Sequence, residues 1–121
     1  MTILLIDDDE TVLRTVGRFL DARGHTVNAT PSASEALLRM EAHSPDLVIS
    51  DIQMPEMDGV ALLRAIRAQG RKVPVVLMTG HATVDTAVAA LRLGAADYLK
   101  KPIKIEELQA CIERVYERNE G

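Results

Sequence analysis

Ile3-Leu4-Leu5-Ile6-Asp7-Asp8-Asp9 stands near the start of the chain: four aliphatic residues in a row, then three carboxylates. A strand with one wet face alternates apolar and polar residues. An unbroken aliphatic run of this length suits a strand covered on both sides, as in a parallel sheet. Val75-Val76-Leu77-Met78 repeats the pattern and runs into Thr79. Thr2–Ile6, Asp46–Ser50 and Val73–Met78 read as strands, with His25–Ala29 and Ala95–Leu99 as weaker candidates. Helical spacing fills the intervals. Val12, Leu13, Val16 and Leu20 mark one helix, and Ala33, Ala36, Leu37 and Met40 a second. Leu63 and Ile66 lie in a third, and Val84, Ala87, Val88 and Leu91 in a fourth. Ile105, Leu108, Ile112 and Val115 mark the last. Ser32-Ala33-Ser34-Glu35 has the spacing of a capping box. Gly24, Gly70 and Gly94 stand where helices end on a left-handed residue. Five βα units in succession predict an α/β fold, a doubly wound parallel sheet of five strands.

Length and composition agree with one such domain. The chain has 121 residues, 47% hydrophobic and 26% charged, a globular rather than a disordered balance. Aromatics are only 2%, so the core must be aliphatic and base-stacking platforms for single-stranded nucleic acid are not expected. A net charge of −4 argues against direct binding of a phosphate backbone by this domain. A single cysteine excludes an internal disulfide and a cysteine-built zinc site. No apolar run approaches membrane-spanning length, and no signal peptide is legible, so the expected compartment is cytoplasmic with no membrane partner. Cys111 falls on the Leu108, Ile112, Val115 face and should be buried; His25 and His43 follow no pattern and should lie at the surface.

In an open α/β sheet, ligands gather at the carboxyl ends of the strands. Asp7, Asp8 and Asp9 follow the first strand, Asp51 the third, Thr79 the fourth, and Lys101 the fifth. If the sheet forms, these groups converge. Carboxylates held within a few ångströms repel one another and raise one another's pKa, and one lysine offsets only part of that. A hard divalent cation with oxygen ligands offsets it better. A carboxylate flanked by a metal, a lysine and a hydroxyl is the chemistry of an aspartyl phosphate. Asp9 stands where an aspartate caps the next helix, so it is expected to leave the cluster.

The segment Asp51-Ile52-Gln53-Met54-Pro55-Glu56-Met57-Asp58-Gly59 resembles the receiver domains of bacterial two-component response regulators. Asp7-Asp8, Met78-Thr79-Gly80 and Tyr98-Leu99-Lys100-Lys101-Pro102 extend that resemblance over essentially the whole chain. It implies a flavodoxin-like, CheY-like sheet in strand order 2-1-3-4-5, with the receiver at residues 1–118 and a frayed tail at 119–121. Asp51 is then the phosphoacceptor, with Lys101 pairing with a phosphoryl oxygen and Lys100 its solvated neighbour. At a site of Asp7, Asp8, Asp51 and the backbone carbonyl of Gln53, Asp8 would ligate Mg2+ (or Mn2+) directly and Asp7 would hold it through water. Thr79 would be the switch hydroxyl and Tyr98 its coupled aromatic, with Gln53 and His81 tuning hydrolysis. The Lys101–Pro102 bond is commonly cis in such domains. Implied partners are a sensor histidine kinase or phosphotransfer protein, and a homodimer through the face formed by the fourth helix, fifth strand and fifth helix. Thr79-Gly80-His81-Ala82-Thr83-Val84-Asp85-Thr86-Ala87-Val88 further resembles receivers of the enhancer-binding, nitrogen-regulatory activator class, which implies a role in transcription control. Such a domain is a switch that assists its own phosphorylation, not an enzyme acting on separate substrates.

Asp7-Asp8-Asp9-Glu10-Thr11-Val12 also resembles the nucleophile motif of haloacid-dehalogenase-type phosphatases. On that reading Asp7 is the nucleophile and Asp9 the acid/base, and the Asp51–Gly59 segment has no role. The aspartate that becomes phosphorylated distinguishes the two.

Overall fold

A computed structural model describes residues 1–120 of the chain, with side chains to Glu117; the frayed tail expected at 119–121 lies outside the fully described residues. Strands β1 (Thr2–Ile6), β2 (Thr26–Thr30), β3 (Leu47–Asp51), β4 (Val75–Thr79) and β5 (Asp97–Lys100) alternate with five helices. The helices are α1 (Glu10–Ala22), α2 (Ala33–Ala42), α3 (Gly59–Ala68), α4 (Val84–Arg92) and α5 (Ile105–Glu120). All strand pairs are parallel, in the order β2-β1-β3-β4-β5. This is the expected doubly wound sheet and strand order.

The period of two in a strand explains the unbroken aliphatic runs. Ile3 and Leu5 of β1 point to one side, into a cluster with Val16, Leu20, Ile112 and Val115 from α1 and α5. Leu4 and Ile6 point to the other, against Ala36, Met40, Leu62 and Ile66 from α2 and α3. Each face needs an apolar residue, so the strand cannot alternate. Cys111 is buried in the first of these clusters, as expected.

Strand boundaries shift by one or two residues. Asp46 stays outside β3 because its carboxylate accepts the Thr2 N–H at 2.7 Å, while Asp51 joins the strand opposite Met78. Val73 and Pro74 lead into β4 without belonging to it; Pro74 has no N–H to give, and its carbonyl accepts from Val48 at 2.9 Å. Only half of the Ser32 capping box forms. Ser32 Oγ accepts the Glu35 N–H, but the Ser32 N–H goes to Thr30 Oγ1, and the Glu35 carboxylate pairs with Arg39 instead. A complete capping box opens α4, between Thr83 and Thr86. The periodic residues Val84, Val88 and Leu91 of α4 do not face the core. Val84 is 79% and Leu91 73% exposed, and Ala90 is the helix's one buried residue. His25 is half-buried, its Nδ1 taking the N-terminal ammonium at 3.1 Å, whereas His43 is exposed.

Candidate functional site

The carboxyl edge of the sheet gathers the expected residues. Asp7 and Asp51 are buried, at 0% and 4% exposure, and Asp8 is exposed at the rim. One carboxylate oxygen of each lies within 4.8 Å of the others, the one such acidic group found among the described residues. Lys101 Nζ sits 2.7 Å from Asp7 Oδ2 and 3.2 Å from Asp51 Oδ2. The backbone carries Lys101 there: its N–H donates to the Thr79 carbonyl at 2.8 Å, tying the end of β5 to that of β4, and its bond to Pro102 is cis. Lys100 is exposed.

Asp7 leads off β1 with its N–H on the Thr30 carbonyl, and its Oδ1 accepts the Asp9 N–H at 2.9 Å. The Asp9 carboxylate turns away and caps α1 through the Thr11 N–H, which removes it from the cluster as expected. Asp51 Oδ1 accepts the Gln53 N–H at 3.3 Å. Thr79 is buried, and its Oγ1 accepts the His81 N–H at 3.0 Å. The side chains of Gln53 and His81 are exposed. Tyr98 is half-buried, and its hydroxyl lies 2.7 Å from Thr86 Oγ1.

Burial pushes the Asp7 carboxyl above the ordinary carboxylate range; the Asp51 charge adds to that, and the Lys101 and Asp9 hydrogen bonds oppose it without cancelling it. Burial alone would lower the Lys101 pKa, but the hydrogen bond and charge of Asp7, with the charge of Asp51, hold it above the ordinary lysine value. Three carboxylates therefore face one fixed ammonium. Asp7 Oδ2 is sealed from solvent, and its close partner is that ammonium at 2.7 Å. This donor set, all oxygen and in excess of its counter-charge, fits Mg2+ or Mn2+.

Two contributors escaped the reading of motifs. A Cβ on Gly59 would stand 2.4 Å from the Asp51 carbonyl oxygen, so the residue that opens α3 is also what lets that helix approach the end of β3. The Thr83-x-x-Thr86 spacing is a hydroxyl version of the capping box, and could have drawn attention to Thr86.

Residues 3–113 match the family model described as the response regulator receiver domain. The chain belongs to that family. The DNA-binding transcriptional regulator NtrC of Salmonella typhimurium is 39% identical to this receiver over 112 residues, covering 93% of the chain and 24% of NtrC. This receiver thus spans about a quarter of the length of the curated relatives it matches. The crystal structure of a response regulator receiver domain protein from Clostridium thermocellum has a TM-score of 0.91 and 33% identity, covering 98% of this chain and 96% of that one. The solution structure of the beryllofluoride-activated NtrC4 receiver domain dimer gives a TM-score of 0.91 and 28% identity over 97% of each chain. The resemblance to nitrogen-regulatory receivers is borne out, and nothing favours the phosphatase reading. Among the described residues, no helix is long and apolar enough to cross a membrane.

Proposed function

We infer that Asp51 accepts a phosphoryl group and that this modification switches the domain. The observation that carries the reading is the placing of Asp51: almost wholly buried, 3.2 Å from the Lys101 ammonium, and grouped with the Asp7 and Asp8 carboxylates. An Asp51 carboxylate oxygen attacks phosphorus, the bond from phosphorus to the donor's imidazole nitrogen breaks, and the imidazole leaves with the electron pair and takes a proton. Lys101 stays charged and draws in an oxygen of the transferred group. Asp7, Asp8, Asp51 and the Gln53 carbonyl would hold Mg2+ or Mn2+, which when bound supplies further positive charge to the transferred phosphoryl oxygens. Gln53 and His81, exposed on the loops after β3 and β4, govern the approach of hydrolytic water. Thr79 keeps its own hydroxyl proton while accepting from His81, so that proton is available to a phosphoryl oxygen.

The donor is a sensor histidine kinase or phosphotransfer protein. An apolar groove of about 490 Å3 beside the site, with Val12, Val16, Pro102 and Ile103 in its walls, supports docking of such a protein. The receiver occupies residues 1–118 and serves a cytoplasmic pathway that controls transcription. The exposed Val84 and Leu91, together with the dimeric NtrC4 neighbour, support a homodimer through α4, β5 and α5.

The test is labelling with acetyl phosphate and Mg2+, followed by reductive trapping and mass-spectrometric mapping. Wild type and Asp7→Asn are compared with Asp51→Asn. Label on Asp51, lost in Asp51→Asn, is the expected result; label on Asp7 would restore the phosphatase reading.

A further inference from the structure

Helix α4 is fixed at one end and nearly free at the other. At its C-terminal end, the Ala95 N–H returns to the Ala90 carbonyl at 2.9 Å, and the Ala96 N–H reaches the Val75 carbonyl at 2.8 Å. The Arg67 guanidinium, on α3, donates to the Gly94 carbonyl at 3.3 Å and to the Val73 carbonyl at 2.9 Å. Ala90 is buried beside these contacts. The first turn has no buried side chain, and Val84 stands in solvent. Among the described residues, its one side-chain hydrogen bond to another element of the fold is that between Thr86 Oγ1 and the Tyr98 hydroxyl, at 2.7 Å.

The hydroxyls in this network satisfy one another. A threonine hydroxyl has one proton and two lone pairs. Thr86 Oγ1 accepts the Thr83 N–H at 3.2 Å, which takes one lone pair. Its proton has the Thr83 carbonyl at 3.1 Å, the Thr83 hydroxyl at 2.9 Å and the Tyr98 hydroxyl at 2.7 Å to choose from. Either oxygen of the Thr86–Tyr98 pair can donate, and the second lone pair of Thr86 takes whichever hydroxyl proton is turned toward it. All three capacities of Thr86 are then used, and the tyrosine hydroxyl is satisfied. Thr83 ends the loop that begins at Thr79. The chain of contacts therefore runs from the strand end beside Asp51, along that loop, through Thr86, to Tyr98 on β5. An inward pull on the loop moves Thr83 and takes Thr86 with it, and Tyr98, rooted opposite Leu77 in the sheet, cannot follow.

We propose that the Thr86 hydroxyl is the latch of the switch: it joins the first turn of α4 to Tyr98 in the unphosphorylated receiver, and this bond breaks when the domain switches. Thr86 is thus a positioning residue, and it sets how far the resting protein lies from its switched arrangement. The proposal rests on the phosphoryl-switch reading above.

Amide and tyrosine-ring NMR of the 121-residue chain, titrated with beryllofluoride in Mg2+, tests both ideas separately. Thr86→Val keeps the branched shape and removes the bond. Without ligand, its signals over residues 84–91 and the Tyr98 ring should lie part-way along the line from free to beryllofluoride-bound wild type. Its beryllofluoride midpoint should fall about two- to tenfold, the worth of one neutral hydrogen bond. Thr86→Ser should behave as wild type. Thr83→Ala weakens the cap but leaves the Tyr98 bond, and should not move the ring signals. Tyr98→Phe combined with Thr86→Val should move the free-state amides no further than Thr86→Val alone. Thr86→Val spectra that overlay wild type in both states, or additive displacements in the double variant, overturn the latch while leaving the switch standing. A wild type that does not respond to beryllofluoride overturns the switch and the latch with it.

Discussion

Gly59→Ala is a sharp test of how the fold holds Asp51. The added methyl carbon would lie 2.4 Å from the Asp51 carbonyl oxygen, 2.9 Å from Ile52 Cα and 3.0 Å from the Asp51 carbonyl carbon. Favourable contacts between such atoms lie near 3.5 Å, so relief requires a movement of roughly 1 Å. Every atom met is backbone, and no rotamer change helps. The Gly59 N–H also donates to the Ile52 carbonyl at 2.8 Å, which pins the two segments together. Overpacking costs about 1–3 kcal/mol, and the upper end applies where only backbone can give way. At ~4 °C per kcal/mol for a domain of this size, the thermal midpoint should fall by about 10 °C. The displaced segment carries Asp51 and leads to Gln53, and Asp51 must keep its register with Lys101. A misplacement of about 1 Å at a reacting group can lower a rate roughly 100-fold. The assays are thermal unfolding by circular dichroism and the initial rate of labelling by acetyl phosphate. Gly17→Ala is the control: nothing lies within 4 Å of its added carbon, and it sits inside α1, so it should gain about 0.5–1 kcal/mol. A Gly59→Ala protein with wild-type melting and wild-type labelling would show that α3 does not approach β3 as closely as described.

Other consequences are equally open to measurement. Because the folded Asp7 pKa is raised, the stability it contributes is present when it is protonated and is lost as pH rises from about 3.8 through the folded value. Asp7→Asn should therefore flatten the pH dependence of metal-free unfolding, raise the neutral-pH midpoint by ~4 °C per kcal/mol relieved, and abolish stabilisation by Mg2+; an unchanged Mg2+ effect on melting contradicts the ligand assignment. Thr79→Ala should still be labelled at Asp51, but its ratio of switched to resting form should fall about 10- to 150-fold, the worth of one charge-assisted bond; full wild-type NMR shifts over 84–98 with beryllofluoride would count against the coupling. Replacing Gln53 and His81 together by alanine should change the phosphoryl lifetime more than the Mg2+ affinity, and equal hydrolysis rates in variant and wild type would remove both from that role.

The parts of the molecule legible in its sequence are those governed by local pattern. Ile3–Ile6 and Val75–Met78 had to be strands covered twice, and the groups following such strands had to share one edge. The alternation placed Asp7, Asp51, Thr79 and Lys101 together before any distance was known. What could not be read depends on which partner wins among several within reach. Glu35 had the spacing to close a capping box, but Thr30 satisfied the Ser32 N–H first. Val84, Val88 and Leu91 have helical periodicity, yet α4 lies on the sheet through Ala90, so the periodic stripe faces outward. Lys101 was expected beside Asp51, and it is nearer to Asp7, the acid with no solvent at all. Tyr98 had a hydroxyl that could have been wet, and its pairing with Thr86 depends on how α4 crosses β5.

The arrangement of the acids also explains how a folded chain tolerates them. Three carboxylates within 4.8 Å oppose folding, and the one least able to shed its charge into water is Asp7. The fold gives that residue the shorter of the two Lys101 ion pairs and a backbone N–H, and leaves Asp8, which has no such partners, at the solvated rim. Full burial of a leucine or isoleucine side chain contributes about 1.5–3 kcal/mol, and Ile3, Leu4, Leu5 and Ile6 are all buried directly beneath the cluster. Stability is thus concentrated in the strands, and unrelieved charge at their ends. A cation entering from the Asp8 side can keep part of its water while it relieves the repulsion. On the reading proposed above, a phosphoryl group on Asp51 would meet a rigid sheet below it, and the first turn of α4, which has no buried side chain, is where a structural response would be least resisted.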